Sequence, residues 1–268
     1  MEQERKTALI TGSVKGLGKM TALTLAERGC NVVINYVNSE REAAALVHEI
    51  ESLGVRSLAV QGDVANREDI IRMVDKVRRQ LGGIDILINN AGPFVRERRL
   101  FADYKFEEIE YLTRGNLLGV MELDHLVLPM MREKRWGRIV HFGFGHAVEA
   151  RGWVHRAVYA AAKVGLVSFT KSLAEEEAAS GITVNMICPG DIRGANKEKK
   201  IRDVMSEKDP ETPVGRPGAG EDIARVIAFL CLPESDFITG NIMDISGGLD
   251  PIQSLPVLKQ RKESTDSK

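Results

Sequence analysis

Short, nearly continuous apolar runs rich in Val and Ile alternate along this chain with longer stretches whose apolar residues recur at helical spacing. The runs fall at 7–11, 31–36, 57–61, 84–89, 138–142, 182–188 and 241–245, and the helical stretches at 18–28, 40–53, 68–81, 106–132, 159–179 and 221–230. Strands that are apolar on both faces and always separated by a helix cannot form hairpins. They predict an α/β fold with a doubly wound parallel sheet of about seven strands and helices on both faces. No internal repeat and no linker divides the chain, so residues 1–250 are expected to form a single domain. Residues 191–220, rich in charge, Gly and Pro, are expected to be a lid over a site. Residues 251–268 read as a C-terminal extension with a disordered end.

The composition supports a folded enzyme-sized unit. Of 268 residues, 43% are hydrophobic and 28% charged, which is enough apolar material for a large core. Basic and acidic residues nearly balance, 37 against 38, so no positive excess points to nucleic acid or to an anionic membrane. A small-molecule partner fits better. The three cysteines, Cys30, Cys188 and Cys231, have neither paired nor metal-ligand spacing and are expected to be buried fillers in a reducing compartment. The polar start runs directly into a strand without a signal-peptide core, and no stretch is long enough to span a membrane. A cytoplasmic location is expected.

The first strand leads into Thr11-Gly12-Ser13-Val14-Lys15-Gly16-Leu17-Gly18, and a helix follows at once. Glycines at 12, 16 and 18 permit a tight turn and close approach of a pyrophosphate to the helix N-terminus. Asn89-Asn90-Ala91-Gly92 follows the fourth strand, Tyr159-Ala160-Ala161-Ala162-Lys163 opens a helix, and Pro189-Gly190 follows the sixth strand. Gly62-Asp63-Val64, Asn116, Ile238-Thr239-Gly240 and Ser246-Gly247-Gly248 complete the order. Together these motifs, over roughly residues 5 to 250, resemble the short-chain dehydrogenase/reductase family, with 3-oxoacyl-carrier-protein reductases among the similar members.

The resemblance implies a Rossmann fold, a dinucleotide cofactor, and hydride transfer between nicotinamide and a carbonyl or alcohol substrate. Gly12, Ser13, Lys15, Gly16, Leu17 and Gly18 would line the dinucleotide. Asp63 would accept from the adenine amino group with Val64 beside it. Asn90, Ala91 and Gly92 would pass under the adenosine ribose, and Pro189, Gly190 and Ile192 would border the nicotinamide. NAD-preferring relatives end the second strand on an acid that binds the ribose 2′-hydroxyl. Tyr36 stands there instead, and Lys15, with Asn38 or Ser39, could reach a 2′-phosphate. NADP is therefore expected ahead of NAD, Lys15 as a solvated turn residue being the alternative.

Tyr159 and Lys163 are four residues apart and would share a helix face. An ammonium beside the phenol, together with the positive charge of an oxidised nicotinamide, would favour its ionised form and lower its pKa, suiting Tyr159 to acid/base work. By the resemblance, Lys163 also binds the nicotinamide ribose and Asn116 holds a proton-relaying water. One family element is missing: between Gly137 and Tyr159 there is neither serine nor threonine. Counting forward along the fifth strand puts Phe144 in the serine's place, whereas counting back thirteen residues from Tyr159 puts His146 there. A donor role for His146 and a shifted loop both stay open. So does a non-catalytic dinucleotide binder, against which the intact Asn116, Tyr159 and Lys163 speak. Gly194 stands where relatives have a threonine near the carboxamide, and the charge run 197–202 reads as a solvated face of the lid. Glu175, Glu176 and Glu177 make the helix after Lys163 acidic, which disfavours an acidic carrier protein as partner. The apolar patterns of 106–132 and 159–179 lead to the expectation of a homodimer or homotetramer.

Overall fold

The computed structural model describes residues 5–250 and residue 252; the extension expected at 251–268 otherwise lies outside the described residues. Seven strands form one wholly parallel sheet in the order β3-β2-β1-β4-β5-β6-β7. They are β1 Thr7–Ile10, β2 Asn31–Tyr36, β3 Ser57–Gln61, β4 Ile86–Asn89, β5 Gly137–Phe142, β6 Ile182–Pro189 and β7 Ile242–Ile245. The helices between them are α1 Gly16–Glu27, α2 Glu40–Glu51, α3 Arg67–Leu81, α4 Phe106–Thr113, α5 Gly119–Lys134, α6 Ala157–Glu177 and α7 Gly220–Leu230. The doubly wound reading of the sequence is thus what the backbone adopts.

Side-chain alternation explains why both faces are covered. In β1, Ala8 and Ile10 point into one layer, packed with Ala22 and Leu25 of α1, Leu46 and Ile50 of α2, and Ile223 and Ile227 of α7. Leu9, between them, points into the other layer with Met73 and Val77 of α3, Leu123 and Val127 of α5, and Leu173 of α6. The strand order reverses between β1 and β4. In open sheets of this kind the crevice at that switch point, beyond the strand C-termini, is where ligands bind.

The sequence pattern misses one break. Residues 106–132 read as a continuous helix, but a π-helical turn, Arg114–Leu118, separates α4 from α5. Gly115 packs against the Pro93 ring and Gly119 against the Val64 carbonyl, and neither has room for a Cβ. Two glycines weaken the regular helix there, and the wide turn swings Asn116 inward, as π-turns at functional sites commonly do.

Candidate active site

The turn after β1 is built by backbone geometry. Gly12 and Gly16 have φ of +61° and +64°, the left-handed region that other residues avoid. A Cβ on Gly18 would stand 2.6 Å from the Gly12 carbonyl oxygen, so α1 packs against the turn only because that position is glycine. Asn35, buried in β2 and not singled out by any sequence motif, fixes the turn: its Oδ1 accepts from Gly12 N at 2.9 Å and its Nδ2 donates to Gly62 O at 2.9 Å. The Ser13 hydroxyl donates to Ile10 O at 2.8 Å and accepts from Asn35 N at 3.1 Å, so this side chain serves the turn itself. Asn90 Nδ2 donates to Thr11 O at 2.8 Å, and Ala91 N donates to Thr11 Oγ1 at 2.9 Å. These bonds tie the strand β4 motif beside the glycine turn, across the switch point.

The remaining expected cofactor residues lie around this crevice. Lys15 and Asn38 are exposed, Tyr36 and Ser39 partly buried, at the ends of β1 and β2. Val64 is buried, and Asp63 accepts from Ala65 N at 2.9 Å and from the Tyr111 hydroxyl at 3.1 Å. Leu17, Asn90, Gly92, Pro189, Gly190 and Ile192 line a cavity of about 460 Å³ together with Asn116, Tyr159 and Lys163. The structure therefore gathers the motifs from β1, β4, α6 and β6 on one cavity.

Asn116 shows what this cavity can hold. Its Nδ2 donates to Pro93 O at 2.8 Å and Leu112 O at 2.9 Å, which aims Oδ1 the other way. That oxygen is buried without a hydrogen-bond partner among the described residues and faces Gly92, whose missing Cβ would also lie 3.7 Å from Lys163 Nζ. An orphaned acceptor beside a buried ammonium is a place for a bound water or hydroxyl. The residues present fit a nicotinamide riboside there.

Tyr159 and Lys163 sit on one face of α6, with the Lys163 ammonium 5.9 Å from the Tyr159 ring centre. Burial lowers the Lys163 pKa to about 8 and pushes the Tyr159 phenol upward. In the cofactor-free chain burial is the main cause of that rise and the Cys188 thiol acts in the same direction, whereas the expected depression also draws on the charge of an oxidised nicotinamide. A protonated phenol is the form that donates a proton to a carbonyl. Cys188, buried at the end of β6 under Gly143, has its thiol pushed to about 12 and is inert; Cys231 is buried likewise, whereas Cys30 is only partly covered.

The loop after β5 settles where two candidates for the serine's position lie. Phe144 lines the cavity, 4% exposed, with its ring centre 6.1 Å from that of Tyr159. His146 is not brought to Tyr159: its Nδ1 lies 2.8 Å from a Glu149 carboxylate oxygen, and its backbone N donates to Asp244. His146 has a left-handed φ of 63° and is not among the residues lining the cavity. Two further rings were outside any motif. Phe94 meets Tyr159 edge-on at 5.0 Å between centres, and Trp153 lies 6.1 Å from it and 5.1 Å from Phe144. Aromatic spacing in loops carries no periodic signal, so only the fold could assemble this group.

The other histidines and the charged segments also find their places. His48 and His125 are exposed, whereas His141 is buried between Asp124 and Thr170, 2.8 Å from each. Among the described residues no cluster could hold a metal ion, and no helix is long and apolar enough to cross a membrane. The run 197–202 is more than a solvated face. Glu198 Oε1 accepts from Gly16 N at 2.7 Å and Oε2 lies 3.5 Å from Lys19, while Lys200 reaches Glu27, so the run is pinned onto α1. Glu177 is buried and paired with Arg132, so of the three glutamates Glu175 and Glu176 are exposed, with Lys171 exposed on the same helix. The acidic-helix argument against a carrier protein is correspondingly weaker.

Residues 12–250 match a family model described as enoyl-(acyl carrier protein) reductase. A relative from Bacillus subtilis (strain 168), named "Putative oxidoreductase YtkK", is 46% identical over 246 residues, covering 91% of this chain and 96% of its own. The 3-oxoacyl-[acyl-carrier-protein] reductase FabG of Staphylococcus epidermidis is 36% identical over 244 residues, covering 91% of this chain and 98% of its own. Among solved structures, a blue fluorescent protein from a metagenomic library, in complex with NADPH, superposes with a TM-score of 0.79. It is 30% identical and covers 92% of this chain and 99% of its own.

Proposed function

The chain belongs to the short-chain dehydrogenase/reductase family, oxidoreductases that act on CH–OH and C=O groups with NAD(P), and from that premise we propose that it is an NADPH-dependent carbonyl reductase with Tyr159 as its proton donor. One observation carries the reading: Tyr159, Lys163 and the orphaned Asn116 oxygen share a cavity with the glycine turn and the Pro189-Gly190 wall. The cofactor, when bound, supplies the hydride. Everything else falls to the chain's own residues.

Leu17, Pro189 and Ile192 would exclude water from one side of the nicotinamide, while Lys163 would bind its ribose. The Tyr159 phenol would donate to the substrate oxygen as charge develops there. Lys163, with an ammonium able to lose its proton near neutrality, would return a proton to Tyr159, and a water on Asn116 Oδ1 would connect Lys163 to solvent. Lys15 would select NADPH through a charge-assisted contact, since no carboxylate ends β2. We also propose a cytoplasmic enzyme that self-associates as a dimer or tetramer, with a small carbonyl compound as partner.

Phe144 in the serine's place favours one second reading, a dinucleotide-binding protein that does not turn over. Titration with NADPH and NADH, followed by turnover against a panel of carbonyl compounds, separates the two. Tighter NADPH binding and turnover of at least one compound are expected. Equal affinities remove the cofactor assignment, and binding without any turnover establishes the second reading.

A further inference from the structure

The reducing end of the cavity has an unusual chemical character. Phe94, Phe144 and Trp153 surround the Tyr159 ring, their centres 5.0, 6.1 and 6.1 Å from it. Among the described residues the Tyr159 phenol is the only hydroxyl on this wall, and residues 138–158 contain no serine or threonine. Of the cations on the cavity lining, Arg193 is paired with Asp191 at 2.6 Å and with Glu211 at 2.8 Å.

The arrangement is held in place. Phe144 is packed into the core beside Met186 and Cys188. Phe94 is half exposed, and Arg156 fixes its loop: the guanidinium lies 5.0 Å from the Phe94 ring centre and donates to the carbonyls of Arg96 and Glu97 at 2.7 and 2.6 Å. Arg156 is three residues before Tyr159, so the start of α6 sets both the acid and the ring that covers it.

A wall with one hydroxyl, where relatives have two, has chemical consequences. Losing one preorganised donor to an oxyanion costs roughly 10²- to 10³-fold in rate, and an isolated aliphatic ketone has no means of recovering it. A carbonyl conjugated with a flat ring system spreads the developing charge over its own π-system and needs less from the protein. Flat rings are also what edge-on and offset aromatic walls hold well. We propose that the substrate is a planar, ring-conjugated carbonyl compound of the ortho-quinone class, with Phe94, Phe144 and Trp153 as specificity-determining residues. The inference rests on the reductase reading above. In the step, a hydride from the dihydronicotinamide bonds to the carbonyl carbon and the C=O π pair moves to oxygen. That oxygen takes the Tyr159 proton; the quinone gains two electrons and the cofactor is oxidised by two.

The test compares 9,10-phenanthrenequinone with ethyl acetoacetate, using NADPH and the full chain. Wild type should show a kcat/KM at least about 10²-fold higher for the quinone. Phe94→Ala and Trp153→Ala should each raise the quinone KM about five- to tenfold, with NADPH affinity unchanged. Phe144→Ser should raise acetoacetate turnover by about 10²-fold; because Phe144 is buried, its NADPH affinity serves as the check that the variant is folded. Without cofactor, the quinone should quench one of the two tryptophans, Trp153, and Trp153→Phe should abolish that quenching, leaving Trp136 unaffected. A wild type that prefers acetoacetate, or a quinone KM unmoved in both alanine variants, overturns the inference. If acetoacetate is preferred and Tyr159→Phe abolishes its turnover, the reductase reading stands and only the substrate class falls. Turnover that survives Tyr159→Phe overturns both.

Discussion

The two ends of the cavity are built by opposite means. At the dinucleotide end, backbone does the work: positive φ at Gly12 and Gly16, N–H groups at the start of α1, and Asn35 and Asn90 bonded to main-chain atoms. At the reducing end, side chains from two separate loops, those after β4 and β5, meet as rings around Tyr159 of α6. A backbone cradle accepts any ligand with the same phosphates. A side-chain wall can be exchanged ring by ring without disturbing the sheet, which is how one scaffold comes to serve different substrates.

If the division is sound, the largest effect of a single atom lies at the reducing end and leaves the other untouched. Tyr159→Phe removes the hydroxyl and keeps the ring contacts, so kcat should fall by about 10³-fold or more while the NADPH dissociation constant stays within about twofold. A comparable loss of cofactor affinity would show that the two ends are one unit.

Lys163 sharpens the comparison because it is buried where the ends meet. Its pKa in the folded chain, about 8, is below the ordinary lysine value, so between the two the unfolded chain holds more protons than the folded one. Stability contributed by this group therefore rises as pH increases from about 8 to about 10.5, and below that window the buried ammonium is a cost. Lys163→Met should abolish turnover yet raise the unfolding free energy of the cofactor-free protein at pH 7 by about 2–3 kcal/mol. The gain should vanish above about pH 10.5, as followed by denaturant unfolding across pH. A variant less stable than wild type at pH 7 would mean that the ammonium is well solvated in the fold.

How much could be read in advance follows the same division. The strands were legible because burial on both faces leaves an unbroken apolar signal, and β2 and β3 match their expected limits. The glycine turn, Asn90, Tyr159 and Lys163 were legible as spaced motifs, each dictated by local geometry. The π-turn at Arg114–Leu118 was not, because its cause, the contacts of Gly115 and Gly119 with Pro93 and Val64, is distant in sequence. Likewise the position of the missing serine could not be fixed by counting. Left-handed residues at His146 and Ala150 reshape that loop, and only their coordinates show Phe144 in the cavity with His146 turned to Glu149.

A smaller effect belongs to the far rim of the dinucleotide end. Lys15→Ala removes an exposed charge from the turn, and solvent screening limits the contact to about tenfold in NADPH affinity, with NADH affinity unchanged. Paired titrations read this directly. An equal loss for both dinucleotides would place Lys15 on the shared pyrophosphate and leave the 2′-phosphate to other groups.

The smallest effect is expected where the segment 194–203 packs on the start of α1. Glu198 Oε1 accepts from Gly16 N at 2.7 Å, and Oε2 lies 3.5 Å from Lys19, so a carboxylate occupies the N-terminus of α1. That terminus is the site a dinucleotide pyrophosphate would seek, since the same N–H groups and helix dipole favour any anion. A tethered competitor lowers apparent affinity by the fraction of time it occupies the site. Glu198→Gln keeps the size and removes the charge. At a partly exposed helix end the charge is worth about 0.3–1 kcal/mol, so the NADPH dissociation constant should fall about two- to fivefold. The gain should shrink between roughly 20 and 200 mM salt as screening weakens the native contact. Adenosine, which has no phosphate, should bind both proteins equally. If Glu198→Gln instead weakens NADPH binding, the carboxylate supports the bound state, and the Glu198 contact on Gly16 is not a competitor for the cofactor.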